Sequence, residues 1–146
     1  MTILKNLVAG LAGAVALNLL HEGLKNRGPN MPRIDLVGEE ALNKVLGSFG
    51  VAISSDKQLY NATLATDILS NALYYSLIGT GSRKYILGRA VISGLSAGFG
   101  AVSLPDKLGL DDEPVTKTSK TKVLTVAYYL SGALVTAVVL KALSKK

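Results

Sequence analysis

Runs of apolar residues dominate the chain. Residues 123–140 contain no charged side chain and are followed by lysines, and residues 6–20 and 83–104 form two further runs with polar or basic residues near their ends. A helix that crosses a bilayer needs about 20 mostly apolar residues at about 1.5 Å per residue. The pattern therefore predicts membrane-spanning helices at approximately 4–24, 83–104 and 122–142.

A fourth span is predicted at residues 56–80, although it is more polar than the others. Its start carries Ser55–x–x–Gln58, which has the form of a capping box. A short turn built on Gly79 and Gly81 separates it from the next span, so the two helices are expected to be antiparallel neighbours. The predicted fold is a single all-α membrane domain over residues 1–146, with four transmembrane helices as two antiparallel hairpins. A soluble helical bundle is the main alternative.

Residues 36–49 between the first two spans show a different periodicity. Their apolar side chains fall on one helical face, opposite Glu39, Glu40, Asn43 and Lys44. Such a segment predicts a short amphipathic helix that lies in the membrane interface or covers the end of the bundle. The prolines at positions 29 and 32 are expected to end the first helix and to stiffen its connection to this amphipathic helix.

Composition narrows the chemistry. The chain is 49% hydrophobic but only 5% aromatic, with no Trp and no Cys, which excludes disulfides and cysteine-based metal centres. The net charge of +6 comes from basic residues scattered at the ends of apolar runs, without nucleic-acid motifs or interleaved aromatics. We therefore expect membrane lipids as partners, no nucleic acid and no cofactor.

Charge near the ends of the spans suggests the orientation. With four spans, both termini and the turn near residue 80 share one side, which carries seven lysines and arginines and no acid. We expect an integral protein of a bacterial-type inner or plasma membrane with both termini cytoplasmic. A cleavable signal peptide is the alternative for the first span, with residues 14–16 (AVA) as the cleavage triplet.

Small residues recur at helical spacing in two of the spans. They let helix backbones approach closely, which favours helix association in lipid. Packing within the chain or self-association through the same faces would both use them. The candidate packing residues are Gly10, Gly13, Gly94 and Gly98.

Polar residues inside the predicted spans are the clearest sign of a function. Asp67 matters most, since a carboxylate at the bilayer centre costs at least about 2.5 kcal/mol and is commonly functional. It could carry a proton or cation, or it could hydrogen-bond to neighbouring helices and hold them together. The predicted intramembrane polar seam contains Asp67, Asn71, Arg89, Ser93 and Ser96.

The loops supply two further groups of candidates. The only histidine lies at the exit of the first span, and candidate catalytic residues of a surface site are His21, Glu22, Arg33 and Asp35. No zincin pattern is present, because Lys25 stands where a second histidine would be needed. In the second long loop, the candidate metal ligands are Asp111, Asp112 and Glu113, although no EF-hand pattern accompanies them and solvated loop acids are commoner.

These features predict a small polytopic membrane protein. The leading hypothesis is a non-catalytic accessory or structural subunit that forms a homo-oligomer or packs with a larger membrane complex. One alternative is a small transporter or channel with a polar seam centred on Asp67. A further alternative is a membrane-surface enzyme that acts on a lipidic substrate.

Overall fold

The structure is a computed structural model and describes residues 1–145. It is all-helical over this range, as predicted. The helices are α1 (Ile3–Leu24), α2 (Ile34–Ser48), α3 (Asp56–Ser76), α4 (Ile86–Lys107), α5 (Glu113–Thr116) and α6 (Ser119–Ser144). Two short 3-10 turns, Leu77–Gly79 and Arg83–Tyr85, connect α3 to α4.

Within residues 1–145, three helices are long and apolar enough to cross a membrane, namely Ile3–Leu24, Arg83–Lys107 (α4 with the 3-10 turn before it) and Ser119–Ser144. This is consistent with an integral membrane protein. Helix α3 has 21 residues, about 30 Å of length, but it carries Asp56, Lys57, Asp67 and several amides and hydroxyls. The predicted arrangement of four spans in two hairpins is therefore not confirmed.

Most predicted helix limits agree with the structure to within a few residues. Ser55 precedes α3, and its side chain accepts a hydrogen bond from the backbone N–H of Gln58 at 3.4 Å. Helix α4, expected to end at residue 104, continues through Pro105 to Lys107. Proline at this position removes one N–H donor, while the backbone N–H of Leu108 still bonds to the carbonyl of Leu104 at 3.0 Å and completes the last turn.

The long helices pack in the order α3, α1, α6, α4, each antiparallel to its neighbour. Both chain termini and the turn between α3 and α4 lie at one end of this set. There the Lys5 ammonium donates to the carbonyl of Leu143 at 2.8 Å, and the Arg83 guanidinium donates to that of Ser144 at 3.2 Å. The central pair is thus α1 and α6, whose faces hold most of the buried core.

Glycines set the close approach of these helices. A methyl group added at any of four glycines would collide with a neighbouring helix, so the contact requires the absence of a side chain. On α4, such a methyl would lie 2.7 Å from the Cα atom of Leu130 at Gly94, and 2.7 Å from that of Val126 at Gly98. On α1, the colliding atoms are the carbonyl oxygen of Ala72 at Gly10 and that of Gly132 at Gly13.

Helices α3 and α4 were expected to pack side by side, but in residues 1–145 they contact each other sparsely. The reason is that each packs on a different central helix, α3 on α1 and α4 on α6. Near the turn, the Tyr74 hydroxyl donates to the carbonyl of Ser93 at 3.1 Å and holds them together. Beyond this point the two helices enclose a groove.

Helix α2 lies across the end of that groove that is farther from the turn between α3 and α4. It crosses α3 at Gly38, where an added methyl would meet the Thr63 side chain at 2.8 Å. At its other end, the Lys44 ammonium donates to the carbonyl of Leu108 at the end of α4 at 2.7 Å. Its outer surface leaves Val45 56% and the adjacent Phe49 79% exposed. An amphipathic helix at the end of the bundle was the expectation, and this geometry suits contact with a membrane interface.

Candidate functional site: a buried ionic cluster beside a lateral groove

The only histidine is enclosed by acids at the end of α1. The side chain of His21 is 5% exposed, and its Nδ1 lies 3.4 Å from a carboxylate oxygen of Glu22. Its Nε2 lies 3.3 Å from Oδ1 of Asp35, close enough for an ion pair but not aligned as a hydrogen bond. Both ring nitrogens therefore face carboxylates.

The proline-containing connection brings Asp35 to this position. The backbone N–H of Arg33 donates to the carbonyl of Pro114 at 2.9 Å, and the Thr121 hydroxyl donates to the carbonyl of Asn30 at 2.9 Å. These bonds attach the connection to α5 and to the start of α6. As a result, the first turn of α2 lies directly over the last turn of α1.

Asp35 is the centre of the cluster. The Arg33 guanidinium donates two hydrogen bonds to it at 2.9 and 2.7 Å, and the Lys25 ammonium lies 3.5 Å away. Burial raises the pKa of Asp35, but the close approach of the His21 ring and the charge and hydrogen bonds of Arg33 outweigh burial. The pKa of Asp35 is thus held well below its usual range, and the carboxylate is charged at neutral pH.

Lys25 links this centre to α3. Its ammonium lies 2.9 Å from a carboxylate oxygen of Glu22, 3.4 Å from the Tyr60 hydroxyl and 4.6 Å from the centre of the Tyr60 ring. Burial lowers the pKa of Lys25, whereas Glu22, Tyr60 and Asp35 together raise it above its usual value. The lysine therefore stays protonated and bridges α1 to α3.

The structure brings all four candidate catalytic residues, His21, Glu22, Arg33 and Asp35, into one cluster. Sequence reasoning did not identify Tyr60 as a member. Tyr60 lies three residues before Thr63 and seven before Asp67, so it extends the same helical face by one turn. Extending that polar face towards the start of α3 would have found it.

Asp67 lies near the middle of α3, about 16 Å along the axis from Asp56 and about 14 Å from Ser76. The Asn71 side-chain amide donates to its carboxylate at 3.0 Å and to its backbone carbonyl at 3.0 Å. Within residues 1–145, no basic side chain forms an ion pair with it. Its partners are therefore two amides, that of Asn71 on its own helix and that of Asn18 on α1.

A groove of about 500 Å³ runs between α3 and α4 and opens at the side of the helix set. Ile34, Val37 and Ala41 of α2 contribute to one end, and Tyr129 of α6 contributes to the wall. The wall is mostly apolar. The polar side chains that line it are those of Asp67, Ser70, Asn71, Tyr74, Ser96 and Tyr129.

A smaller cavity of about 30 Å³ lies between the ionic cluster and Asp67. Asp67, Ile34 and Gly38 line both this cavity and the groove. Two buried polar atoms in the cavity wall have no hydrogen-bond partner, namely Nε2 of His21 and the hydroxyl oxygen of Thr63. Asp67 therefore lies where the apolar groove meets the polar cavity.

The other predicted seam residues are divided between two places. Ser96 lines the groove with Asp67 and Asn71, whereas the backbone carbonyl of Ser93 accepts a hydrogen bond from the Tyr74 hydroxyl. Arg89 is not part of the groove wall. Its guanidinium donates to the carbonyls of Ile78 and Ser82 at 2.9 and 3.0 Å, in the turn that precedes α4.

The acids of the second long loop organise the backbone around them. The backbone N–H of Glu113 donates to Asp111 at 3.0 Å, and that of Asp111 donates to Glu40 of α2 at 2.9 Å. Asp112 precedes α5, and its carbonyl accepts from Val115 and Thr116. Within the part of the chain that the structure describes, no group of three or more His, Asp or Glu side chains is placed to hold a metal ion.

Comparison of the chain with protein families, with curated proteins and with solved structures gave no match.

Proposed function

We propose that the chain is a small membrane protein of the transporter class, which takes a small amphiphilic molecule from the bilayer into the groove between α3 and α4. The observation that carries the proposal is the position of Asp67, which lies on the wall of both the lateral groove and the polar cavity. A volume of about 500 Å³, mostly apolar walls and a few convergent polar groups are typical of small-molecule sites. The fourth span of this proposal is α3.

The accessory-subunit role has less support. The glycine faces were expected to serve packing within the chain or self-association, and the four glycines contact neighbouring helices of the same chain. These four positions are therefore not available to a partner helix.

The surface-enzyme role also has less support, although its four candidate residues lie together. A general base needs a nitrogen or oxygen within reach of a substrate proton. Both ring nitrogens of His21 face carboxylates, and Arg33 is bound to Asp35 through two hydrogen bonds. We propose that the cluster fixes α2 over α1 and thereby closes one end of the groove.

A single tryptophan provides the test, because the chain has none of its own. Leu104→Trp places the reporter in the groove wall. Phe99→Trp places it on α4 outside the groove, at a residue that is 60% exposed. In phosphatidylcholine nanodiscs, a brominated long-chain alcohol should quench the groove reporter saturably. The control reporter should be quenched only in proportion to the probe dissolved in the lipid.

A blocking substitution sharpens this experiment. Ala101→Phe fills the groove wall and should abolish the saturable quenching, while the neighbouring Val102→Phe, which lies outside the groove wall, should leave it unchanged. Identical, non-saturable quenching of both reporters would reject the proposal. Protection of the groove reporter from every probe would show that another helix fills the groove, and would also reject it.

A further inference from the structure

We infer that the groove selects a lipophilic monovalent cation, such as an alkylammonium, which binds by displacing the proton of Asp67. This inference rests on the proposed function and names the substrate class of the same site. Three features of the groove carry it: the charge of its wall, the partners of Asp67 and the groups around the adjoining cavity.

The charge of the wall is one-sided. Among residues 1–145, Asp67 is the only acidic side chain in the wall, and no lysine, arginine or histidine of this range lines it. The remaining polar groups are hydroxyls and one amide. In an apolar environment a carboxylate is costly unless a cation pairs with it. A bound cation therefore forms an ion pair with the ionised carboxylate of Asp67. An alcohol can form only a hydrogen bond with it, and an anion would be repelled by it.

The partners of Asp67 leave it available for such a ligand. Its hydrogen-bond donors are the amides of Asn71, one turn along the same helix, and of Asn18 on α1, which hold the carboxyl group without neutralising it. Among the basic side chains of the ionic cluster, Lys25 pairs with Glu22 and Arg33 with Asp35, and His21 lies between Glu22 and Asp35. A proton and a cationic ligand are thus alternative partners for the same oxygen atoms.

Exchange between them balances in a single step. The protonated carboxyl group of Asp67 loses its O–H proton and the cation takes its place, so that the net charge at the site is unchanged. The displaced proton is released to bulk water, one proton for each cation bound. The 30 Å³ cavity beside Asp67 is lined by His21 and by Thr63, whose hydroxyl has no hydrogen-bond partner within residues 1–145. The titratable groups that share a cavity or groove wall with Asp67 are His21, Glu22, Asp35, Tyr60, Tyr74 and Tyr129.

The test uses three brominated probes of equal chain length: a trimethylammonium, an alcohol and a carboxylate. Each is titrated into Leu104→Trp protein in phosphatidylcholine nanodiscs, with Phe99→Trp as the correction for partitioning. At neutral pH the cation should bind at least about tenfold more tightly than the alcohol, and the carboxylate least tightly. Asp67→Asn should abolish the preference for the cation, and Asp67→Glu should retain it.

The pH dependence needs no substitution at Asp67. Because one proton competes with one cation, the affinity for the trimethylammonium should fall as the pH is lowered. The decrease should be about tenfold for each pH unit in the range where Asp67 of the free protein is protonated. Binding of the alcohol should stay constant. Equal binding of all three probes, or a preference unchanged by both pH and Asp67→Asn, would overturn the inference while leaving an amphiphile site. Loss of saturable binding for the alcohol would reject the proposed function itself.

Discussion

The two ends of the helix set hold their charged side chains in opposite ways. At the paired end, formed by the end of α1 and the start of α2, acids and bases contact one another around Asp35. At the basic end, which contains residues 1–6, 77–89 and 141–145, there is no acid. There the basic side chains of Lys5, Arg83 and Arg89 donate to backbone carbonyls.

The two ends also differ in how much stability is lost when one contact is removed. A buried ion pair is sensitive to the loss of either partner, because the remaining charge is left without compensation. A cation at the end of a helix interacts with partial charges on carbonyls, and each such contact contributes little. However, the basic end keeps its net positive charge, which anionic lipid headgroups attract. The basic end is the one that the charge pattern of the sequence predicts to be cytoplasmic.

The largest effect is expected from Asp35→Asn at the paired end. This substitution leaves Arg33 and His21 without their common acid, so the free energy of unfolding should fall by about 3–5 kcal/mol. Thermal unfolding in detergent micelles would measure it. Asp106→Asn, at an exposed acid, is the matched control and should change stability by less than about 0.5 kcal/mol. Equal effects of the two substitutions would contradict the central role of Asp35.

A smaller effect is expected from acidification. The folded pKa of Asp35 lies below its unfolded value, so its stabilising contribution is complete above a pH of about 5 and is lost as pH falls towards the folded pKa. The unfolding temperature should therefore decrease as pH falls from about 5 to about 2. Asp35→Asn should flatten this dependence. A parallel decrease in wild type and variant would assign the acid sensitivity to another group.

The smallest effect is expected at the basic end. Arg83→Gln removes one donor to the last carbonyls of α6 and should lower the free energy of unfolding by about 0.3–1 kcal/mol, less at high salt. Lys84→Gln is the control, since it removes the same charge from this end while Arg83 keeps its hydrogen bond to the carbonyl of Ser144. An Arg83→Gln effect as large as that of Asp35→Asn would remove the distinction between the two ends.

Much of the architecture follows from local patterns in the sequence. The apolar runs predicted α1, α4 and α6, and the opposed faces of residues 36–49 predicted α2. The groove could not be predicted, because the short turn after residue 79 suggested that α3 and α4 are packed neighbours. Contacts between residues distant in sequence separate the two helices. Gly10 allows close packing of α1 against α3, and Gly94 and Gly98 allow close packing of α4 against α6.

The site was predictable as a set of residues but not as an assembly. A lone histidine next to Glu22 and a polar residue in mid-helix stand out in any apolar sequence, so His21 and Asp67 were identified. Their relation was not, because it depends on where the connection through Pro32 places Asp35. That position is fixed by bonds to Pro114 and Thr121, which are about 80 or more residues away in sequence.

Helix α2 gives the groove a property that its walls alone do not have. It is held at one end by the ionic cluster, touches α3 at Gly38 and reaches the end of α4 through Lys44, so it acts as a strut of fixed length between the two walls. Under the proposed function, a molecule too large for the groove could enter only if α2 moved. The size limit for ligands would then depend on how α2 is held, and substitutions in α2 would change it without altering any residue of α4.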